Sequence, residues 1–327
     1  MPSTPSVIVV LGTGGTISAR ADSPQETLAY RAGEVGVDRL VADAGVAYTG
    51  FVVETGQVAQ IDSKDMDFAT WRRLAESVAA HLARDEVHAV VVTHGTDTLE
   101  ETAWFLQRVL TPAKPVVLTA AIRPASAADA DGPRNLNDAI AVAASIAASV
   151  GVVAVLAGSV HSARDVRKVH PTRLDAFASG DDGPNGRIEH GCLSMLHEPM
   201  PWRGHAIGVD CLPIDVAGWP WVEIVTSAAG SDARAVDALV AAGCDGIVVA
   251  ATGNGSVHRA LEAALARACS AGLAIVRGTR CQNGSIVEST STEGRSAYPS
   301  AGDLTPQKAR VEMLLELLSG TLKRRRE

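Results

Sequence analysis

Residues 7–17 read VIVVLGTGGTI, and residues 89–98 read AVVVTHGTDT. In both stretches an uncharged run rich in β-branched residues stops at a cluster of glycine and hydroxyl side chains. Continuous apolar runs of this length are typical of strands buried on both faces of a parallel sheet. Because ligands bind at the carboxyl ends of the strands in an open α/β sheet, the two clusters predict a small-molecule site.

Outward from these stretches, apolar runs alternate with segments whose apolar residues recur at spacings of three and four. Further strands are predicted at residues 115–119, 152–156, 222–225, 246–250 and 273–277. Helices are predicted at residues 68–84, 100–110, 137–149, 233–242, 256–270 and 306–318. This alternation is typical of an α/β protein with mostly parallel sheets and helices on both faces.

The alternation stops between residues 198 and 220, where proline and glycine recur and no helix is evident. We interpret this stretch as a linker. Residues 1–197 then form an N-terminal α/β domain that carries both polar clusters, and residues 221–327 form a smaller C-terminal α/β domain. Residues 18–36 form a long polar segment that contains Tyr30, and a loop of this length is often a lid.

Composition excludes several classes of protein. The net charge is −8 with no basic stripe, which argues against nucleic acid as a partner. The uncharged residues 139–160 are rich in alanine and are interpreted as a buried helix, a turn and a strand, not as a membrane span. Residues 1–6 carry no basic residue, and no CxxC pair occurs, so we expect a cytoplasmic protein without a signal peptide.

The glycines at the first cluster do not match a nucleotide site. A dinucleotide fingerprint requires a third glycine where Ile17 stands, and the lysine of a P-loop is absent. Glycines such as Gly15 still let the backbone approach a ligand closely. Threonine hydroxyls are then the candidate nucleophiles, and a threonine needs a base to take its proton. Lys168 is a candidate base, and Asp97 could hold a ligand ammonium group or orient the base.

The two clusters together resemble the bacterial-type L-asparaginase/glutaminase family, and the resemblance covers nearly the whole chain. The motifs that carry it are TGGTI at 13–17, AYRAGEVG at 29–36, DSKDM at 62–66, HGTDT at 94–98, EETA at 100–103, RP at 123–124, DGPRNL at 131–136, GNG at 253–255 and PQKAR at 306–310. The resemblance implies the two-domain fold of that family. It also implies hydrolysis of the side-chain amide of L-asparagine, with weaker action on glutamine. This reaction is expected to need no metal or other cofactor.

The resemblance further implies a role for individual residues. Thr16 is the expected nucleophile and forms an acyl-enzyme, with Tyr30 closing over it. Thr96, Lys168 and Asp97 form a second set of hydroxyl, base and acid, and either Tyr30 or Lys168 could be the base. Substrate contacts are expected from Gly15, Ser63, Asp97, the Ala121 carbonyl, and two residues of the C-terminal domain, Asn254 and Glu288. Asn254 is expected to reach the site of a neighbouring subunit in a homotetramer.

Lys64 departs from the family pattern, which more often has Gln or Glu beside the substrate at this position. Its ammonium group could pair with the substrate carboxylate, pair with Asp65, or point to solvent. We hypothesise that this charge favours asparagine over glutamine.

Three other functions fit the sequence less well than an amidohydrolase. The asparaginase-like subunit of a transfer-RNA amidotransferase would carry an extra N-terminal domain, whereas here the first motif begins at Gly12. A non-catalytic amino-acid sensor usually lacks the nucleophile or its base, yet Thr16 and Lys168 are both present. A nucleotide-binding oxidoreductase fits the fold class but not the glycine pattern.

Overall fold

The computed structural model describes residues 6–46, 50–146, 150–197, 204–288 and 298–322. The chain divides into two compact units, Met1–Val209 and Asp210–Glu327. Each unit is an α/β sandwich built around one main sheet. The expected two-domain α/β fold with mostly parallel sheets is therefore confirmed.

The N-terminal unit contains a sheet of eight described strands in the order β4-β1-β5-β6-β7-β8-β11-β12. The first five strands in this order, from β4 to β7, run parallel. The last three, β8, β11 and β12, are paired antiparallel at the other end of the sheet. Two short pairs, β2 with β3 and β9 with β10, lie outside this sheet. The strands are β1 Ser6–Gly14, β2 Arg20–Ala21, β3 Tyr30–Arg31, β4 Phe51–Ile61, β5 Val87–Thr93, β6 Val116–Thr119, β7 Val152–Leu156, β8 Ser159–Ser162, β9 Arg167–Lys168, β10 Phe177–Ala178, β11 Gly186–Glu189 and β12 Cys192–Met195.

Helices cover both faces of this sheet. They are α1 Val37–Asp43, α2 Phe68–Leu82, α3 Leu99–Leu110 and α4 Gly132–Ser145. Ile8 and Val10 of β1 are fully buried in a core shared with α1 and α4. Because side chains alternate along a strand, the neighbouring Val9 and Leu11 face the other side, where α2 and α3 pack together.

The C-terminal unit has a parallel sheet in the order β13-β14-β15. Helices α5 and α6 pack together over one core that contains Val236 and Leu261, and α7 contacts all three strands. The elements are β13 Val222–Thr226, α5 Arg234–Ala242, β14 Gly246–Ala251, α6 Arg259–Ser270, β15 Ala274–Thr279 and α7 Pro306–Leu318.

The predicted elements differ from the structure mainly at their ends. The helix expected at 137–149 begins earlier, at Gly132, because Pro133 fits the first turn of a helix. It also ends earlier than expected, at Ser145, because the backbone of Ile146 is already extended, and residues 147–149 lie outside the described residues. Part of the expected linker, residues 198–203, also lies outside them, and two short 3-10 turns occupy Val209–Cys211 and Val216–Gly218.

Several elements were not predicted at all. Strand β4 is long but lies at the edge of the sheet, so its side chains are mostly half-buried or exposed and polar residues interrupt its apolar pattern. Helix α1 spans only seven residues. The described helices include none with both the length and the apolar character needed to cross a membrane.

Candidate active site

The two polar clusters come together at the carboxyl ends of adjacent parallel strands, β1 and β5. Gly15 has a φ of 79°, and a Cβ atom built there would lie 2.3 Å from the Cα atom of Gly95. The backbones of the two loops are therefore in direct contact, which only glycine permits. Thr16 and Thr96 follow these glycines and are both largely buried.

Thr16 is hydrogen-bonded to Tyr30. The Thr16 Oγ1 and Tyr30 Oη atoms are 2.9 Å apart, and either can be the donor. Tyr30 belongs to the short β2–β3 ladder, in which it lies opposite Ala21. The structure thus brings together the expected nucleophile and the tyrosine expected to close over it.

Thr96, Asp97 and Lys168 form a second hydrogen-bonded set. Lys168 Nζ donates to Thr96 Oγ1 at 2.9 Å and to Asp97 Oδ1 at 2.6 Å. Its backbone N–H donates to Glu100 Oε2 at 2.9 Å, which ties β9 to the first turn of α3. The side chain of Lys168 is only 19% exposed, whereas that of Asp97 is 53% exposed, so Asp97 presents this set to solvent.

Ser63 joins the end of β4 to the same loops. It begins a short turn after β4 and is 3% exposed. Its Oγ accepts from the Asp97 N–H at 3.2 Å, and its carbonyl accepts from Thr98 Oγ1 at 2.8 Å. The next residue, Lys64, directs its Nζ to Asp62 at 2.7 Å and to Asp65 at 3.2 Å, with its side chain 61% exposed. Of the three arrangements considered for Lys64, the structure shows pairing with carboxylates of its own turn.

Ala121 lies just after β6, and its carbonyl accepts from no described residue. The segment that follows it is held by Asp131, whose two carboxylate oxygens accept from the N–H groups of Ile122 and Arg123 at 3.0 and 2.9 Å. Asn135 Nδ2 donates to the Ala120 carbonyl at 2.9 Å, and Asn135 Oδ1 accepts from the Ala157 N–H at 3.1 Å. The Ala121 carbonyl is thus a buried, rigidly placed acceptor.

His94 is a residue whose role was not anticipated, although it stands within the second motif. It is fully buried, and loss of hydration lowers its pKa to about 4, so it is neutral near pH 7. Its Nδ1 lies 2.7 Å from the Gly95 carbonyl, and its Nε2 lies 3.1 Å from Thr102 Oγ1. Trp71 Nε1 in turn donates to Thr102 Oγ1 at 2.9 Å.

The two expected contacts from the C-terminal unit are both paired within that unit. The side chain of Asn254 exchanges hydrogen bonds with the backbone of Val287, at 2.9 and 2.7 Å. Glu288 forms an ion pair with Arg277, with a shortest distance of 2.7 Å. Their participation in a substrate site stays a prediction.

In the N-terminal unit the arrangement offers two threonine hydroxyl groups, each hydrogen-bonded to a side chain of a type that can carry a proton, and one exposed carboxylate. The Thr96 N–H donates to no described residue and could stabilise a developing oxyanion. Among the described residues, no three His, Cys, Asp or Glu side chains are grouped so that they could hold a metal ion. Such an arrangement is suited to acyl transfer by a hydroxyl nucleophile.

Comparison with known proteins identifies relatives along almost the whole chain. Residues 7–201 match the family model described as asparaginase, N-terminal, and residues 221–326 match the glutaminase/asparaginase C-terminal domain. L-asparaginase 2 of Escherichia coli strain K12 is 37% identical over 315 residues, which cover 95% of this chain and 88% of that protein. The glutaminase-asparaginase of Pseudomonas fluorescens biotype A is 34% identical over 313 residues, with coverages of 95% and 86%.

Two further relatives differ in the location that their names state. A probable periplasmic L-asparaginase of Haemophilus influenzae is 34% identical over 312 residues, with coverages of 95% and 88%. The crystal structure of a probable cytoplasmic L-asparaginase from Campylobacter jejuni superimposes with a TM-score of 0.86 at 37% identity and covers 95% of both chains.

Proposed function

This chain belongs to the asparaginase family, and we therefore propose that it hydrolyses the side-chain amide of L-asparagine to L-aspartate and ammonia. The observation that carries the proposal is the pair of hydrogen-bonded sets, Thr16 with Tyr30 and Thr96 with Lys168 and Asp97. A relative that acts on both amides supports a secondary action on glutamine. No finding favours a non-catalytic sensor.

In the first half of the reaction, Thr16 Oγ attacks the carboxamide carbon and its proton passes to the leaving nitrogen, which departs as ammonia. We assign the proton transfer to Tyr30, because its hydroxyl is the group in contact with Thr16. The Thr96 N–H is a candidate donor to the tetrahedral oxyanion. The product of this half-reaction is an ester between Thr16 and the aspartyl group.

In the second half, water cleaves this ester and returns a proton to Thr16 Oγ. We assign activation of the water to Thr96 and Lys168. In this step the Thr96 hydroxyl takes a proton from the water and passes its own to Lys168 Nζ, which acts as a neutral amine, and the proton returns to Thr16 Oγ as the ester bond breaks. Asp97 keeps the lysine in place through the 2.6 Å contact between its Oδ1 and Lys168 Nζ.

The substrate is a zwitterion, and the site offers a partner for each of its charges. The second carboxylate oxygen of Asp97 accepts from no described residue and is available to the α-ammonium group. The Ser63 hydroxyl accepts from the Asp97 N–H, so its own proton can be donated to the α-carboxylate. The Ala121 carbonyl is available to the side-chain amide, and Gly15 lets the backbone approach the substrate.

Lys64 would influence the choice between the two amides. We propose that it favours asparagine, and the support is only the change of charge beside Ser63, where the family more often has Gln or Glu. Its pairing with Asp62 and Asp65 partly neutralises that charge, so the expected preference is modest. Equal turnover of asparagine and glutamine by the wild type would contradict the idea.

Assembly and location are part of the same proposal. We propose a homotetramer in which Asn254 and Glu288 complete sites across subunits, and a cytoplasmic location like that stated for the Campylobacter jejuni relative. The periplasmic relative shows that location varies among these proteins.

The test is ammonia release from L-asparagine and L-glutamine by the purified wild type, Thr16→Ala and Thr96→Val. We expect asparagine turnover by the wild type and a loss of about 1,000-fold or more in both variants, since each removes a hydroxyl that transfers protons. Thr172→Val, an exposed threonine in the loop between β9 and β10, is the matched control and should retain activity. A folded wild type that releases no ammonia, but whose melting temperature rises with asparagine or aspartate, would point to a sensor instead.

A further inference from the structure

The segment that carries Tyr30 is a small hairpin that packs beside the site. We call residues 20–31 the lid hairpin. Its two strands, β2 and β3, are only two residues each, and Ala21 lies directly opposite Tyr30 in their antiparallel register. An isolated two-stranded hairpin is marginally stable at best, so contacts outside the lid hairpin must hold Tyr30 against Thr16.

Two hydrogen bonds join the lid hairpin to the segment between β6 and α4. The Ser126 Oγ atom accepts from the Ala21 N–H at 2.8 Å, and the Ala128 N–H donates to the Pro24 carbonyl at 3.0 Å. The first involves the residue that is paired with Tyr30. Apart from the Thr16–Tyr30 hydrogen bond itself, it is the described hydrogen bond by which a side chain outside the lid hairpin holds the strand position opposite the tyrosine.

The ion pairs of the lid hairpin do not substitute for this contact. Arg31 pairs with Asp22 and Glu34, but its side chain is 61% exposed. Exposed ion pairs contribute little to stability because water and salt screen them. They also lie within residues 20–34, so they cannot anchor the hairpin to the 122–131 segment.

The segment that holds the lid hairpin is itself fixed. Asp131 accepts from the N–H groups of Ile122 and Arg123, and Asn135 donates to both Asp131 and the Ala120 carbonyl. The same segment starts at the Ala121 carbonyl, the proposed acceptor for the substrate amide. One rigid segment therefore carries both the carbonyl proposed to accept from the substrate amide and the Ser126 hydroxyl that accepts from the lid hairpin.

We propose that Ser126 is a positioning residue for the reaction. Its hydroxyl accepts from the Ala21 N–H, and we call this hydrogen bond the latch. The latch fixes the lid hairpin and so holds Tyr30 within hydrogen-bond distance of Thr16. Ser126 touches neither the substrate nor the reacting atoms in this scheme, and it acts through Tyr30. The effect of Ser126 on the reaction rate rests on the proposed function, whereas its hydrogen bond to Ala21 does not.

The experiment compares Ser126→Val with Ser126→Thr, two side chains of nearly the same shape that differ in the hydroxyl. We expect Ser126→Val to lower kcat/KM for asparagine by about 3- to 10-fold, the range that loss of one hydrogen bond implies, and Ser126→Thr to stay near the wild type. The second anchor through Ala128 limits the loss. Ser23→Ala, an exposed serine of the same hairpin, is the control and should have no effect.

A double-mutant cycle with Tyr30→Phe separates positioning from a general structural effect. In the Tyr30→Phe background, Ser126→Val should cause no further loss, because the hydroxyl that the latch positions is already gone. An equal loss from Ser126→Val in both backgrounds, or no loss in either, would overturn the proposal.

Amide hydrogen exchange of residues 20–31 tests the latch without any substrate. Exchange should be about 3- to 10-fold faster in Ser126→Val than in Ser126→Thr or Ser23→Ala. Equal exchange in Ser126→Val and Ser126→Thr would show that the hydroxyl does not hold the hairpin. A wild type that is inactive on asparagine but shows the expected exchange difference would count against the proposed function alone.

Discussion

At the scale of single residues, the proton positions around His94 follow from the groups that surround it. A carbonyl only accepts, so His94 Nδ1 carries the proton that is donated to Gly95. The neutral ring then has an unprotonated Nε2, which accepts from the Thr102 hydroxyl, and Thr102 accepts from Trp71. Each member of this buried chain has a partner, which fixes the Gly95 peptide immediately before Thr96.

This burial predicts a stability that depends on pH. A histidine in an unfolded chain has a pKa of about 6.5, and loss of hydration lowers the pKa of His94 to about 4 in the folded protein. Between these values the unfolded chain takes up a proton that the folded protein excludes. The free energy of unfolding should therefore fall as the pH drops from about 6.5 to about 4, by on the order of 3 kcal/mol from this group.

Urea denaturation of the wild type and His94→Gln at pH 7 and pH 4.5 measures this contribution. Glutamine does not titrate in this range, so the wild type should lose more stability on acidification than the variant. The carboxylates titrate alike in both proteins, so their contribution to the loss of stability cancels when the two losses are compared. Identical losses in the two proteins would show that His94 is not the group responsible.

At the scale of elements, the site depends on the close approach of the loops that follow β1, β4 and β5. A Cβ atom on Gly95 would lie 2.4 Å from Ser63 Oγ and 3.0 Å from the Gly15 Cα atom. Parallel pairing places the carboxyl ends of these three strands side by side, and glycine lets the loops that follow them touch.

Gly95→Ala should therefore lower the activity by moving the loops apart. Because displacement of reacting groups by about 1 Å can cost about 100-fold in rate, we expect a fall in kcat/KM of about that size. Gly278→Ala is the matched control, since a Cβ there would meet its nearest neighbour at an ordinary 3.8 Å. Ammonia release measures both variants, and an active Gly95→Ala would mean that the loops tolerate the separation.

At the scale of the whole molecule, the residues proposed for the site are divided between the two compact units. The proposed nucleophile, its hydrogen-bond partners and the proposed acceptor carbonyl all lie in the N-terminal unit, whereas Asn254 and Glu288 belong to the C-terminal unit. The pairing of Asn254 with Val287 and of Glu288 with Arg277 holds these two side chains in defined positions within their own unit.

Mixed oligomers test whether Asn254 acts on a neighbouring subunit. Asn254→Ala alone should lower activity by about 10-fold or more, as expected when a polar contact to substrate is lost. Co-expression of Thr16→Ala with Asn254→Ala should restore part of the activity, because some sites then combine an intact Thr16 with an intact Asn254 from another chain.

Restoration is not expected if Asn254 completes the site of its own subunit, because each chain of the hybrid then lacks one of the two residues. Co-expression of Thr16→Ala with Thr96→Val is the control. Both residues lie in the N-terminal unit, so no hybrid site regains both, and the activity should stay low.

Local composition is enough to predict the buried strands and the two polar clusters at their ends. Runs such as 7–11 and 89–93 are apolar on both faces, so local composition alone identifies them as central strands. The edge strand β4 was not predicted, because an edge strand is partly exposed to solvent and its sequence mixes polar and apolar residues. The motifs also sufficed to indicate the family, because their order along the chain is specific.

Which side chains meet depends on how the whole chain folds. Lys168 lies more than 70 residues from Thr96, and its sequence surroundings are those of an ordinary surface lysine. The burial of His94, the contact between Gly15 and Gly95, and the Ser126 hydrogen bond to Ala21 likewise join residues through the sheet and its loops. Apolar periodicity reports the local environment of a segment, whereas such contacts arise from strand order and register, which no single segment encodes.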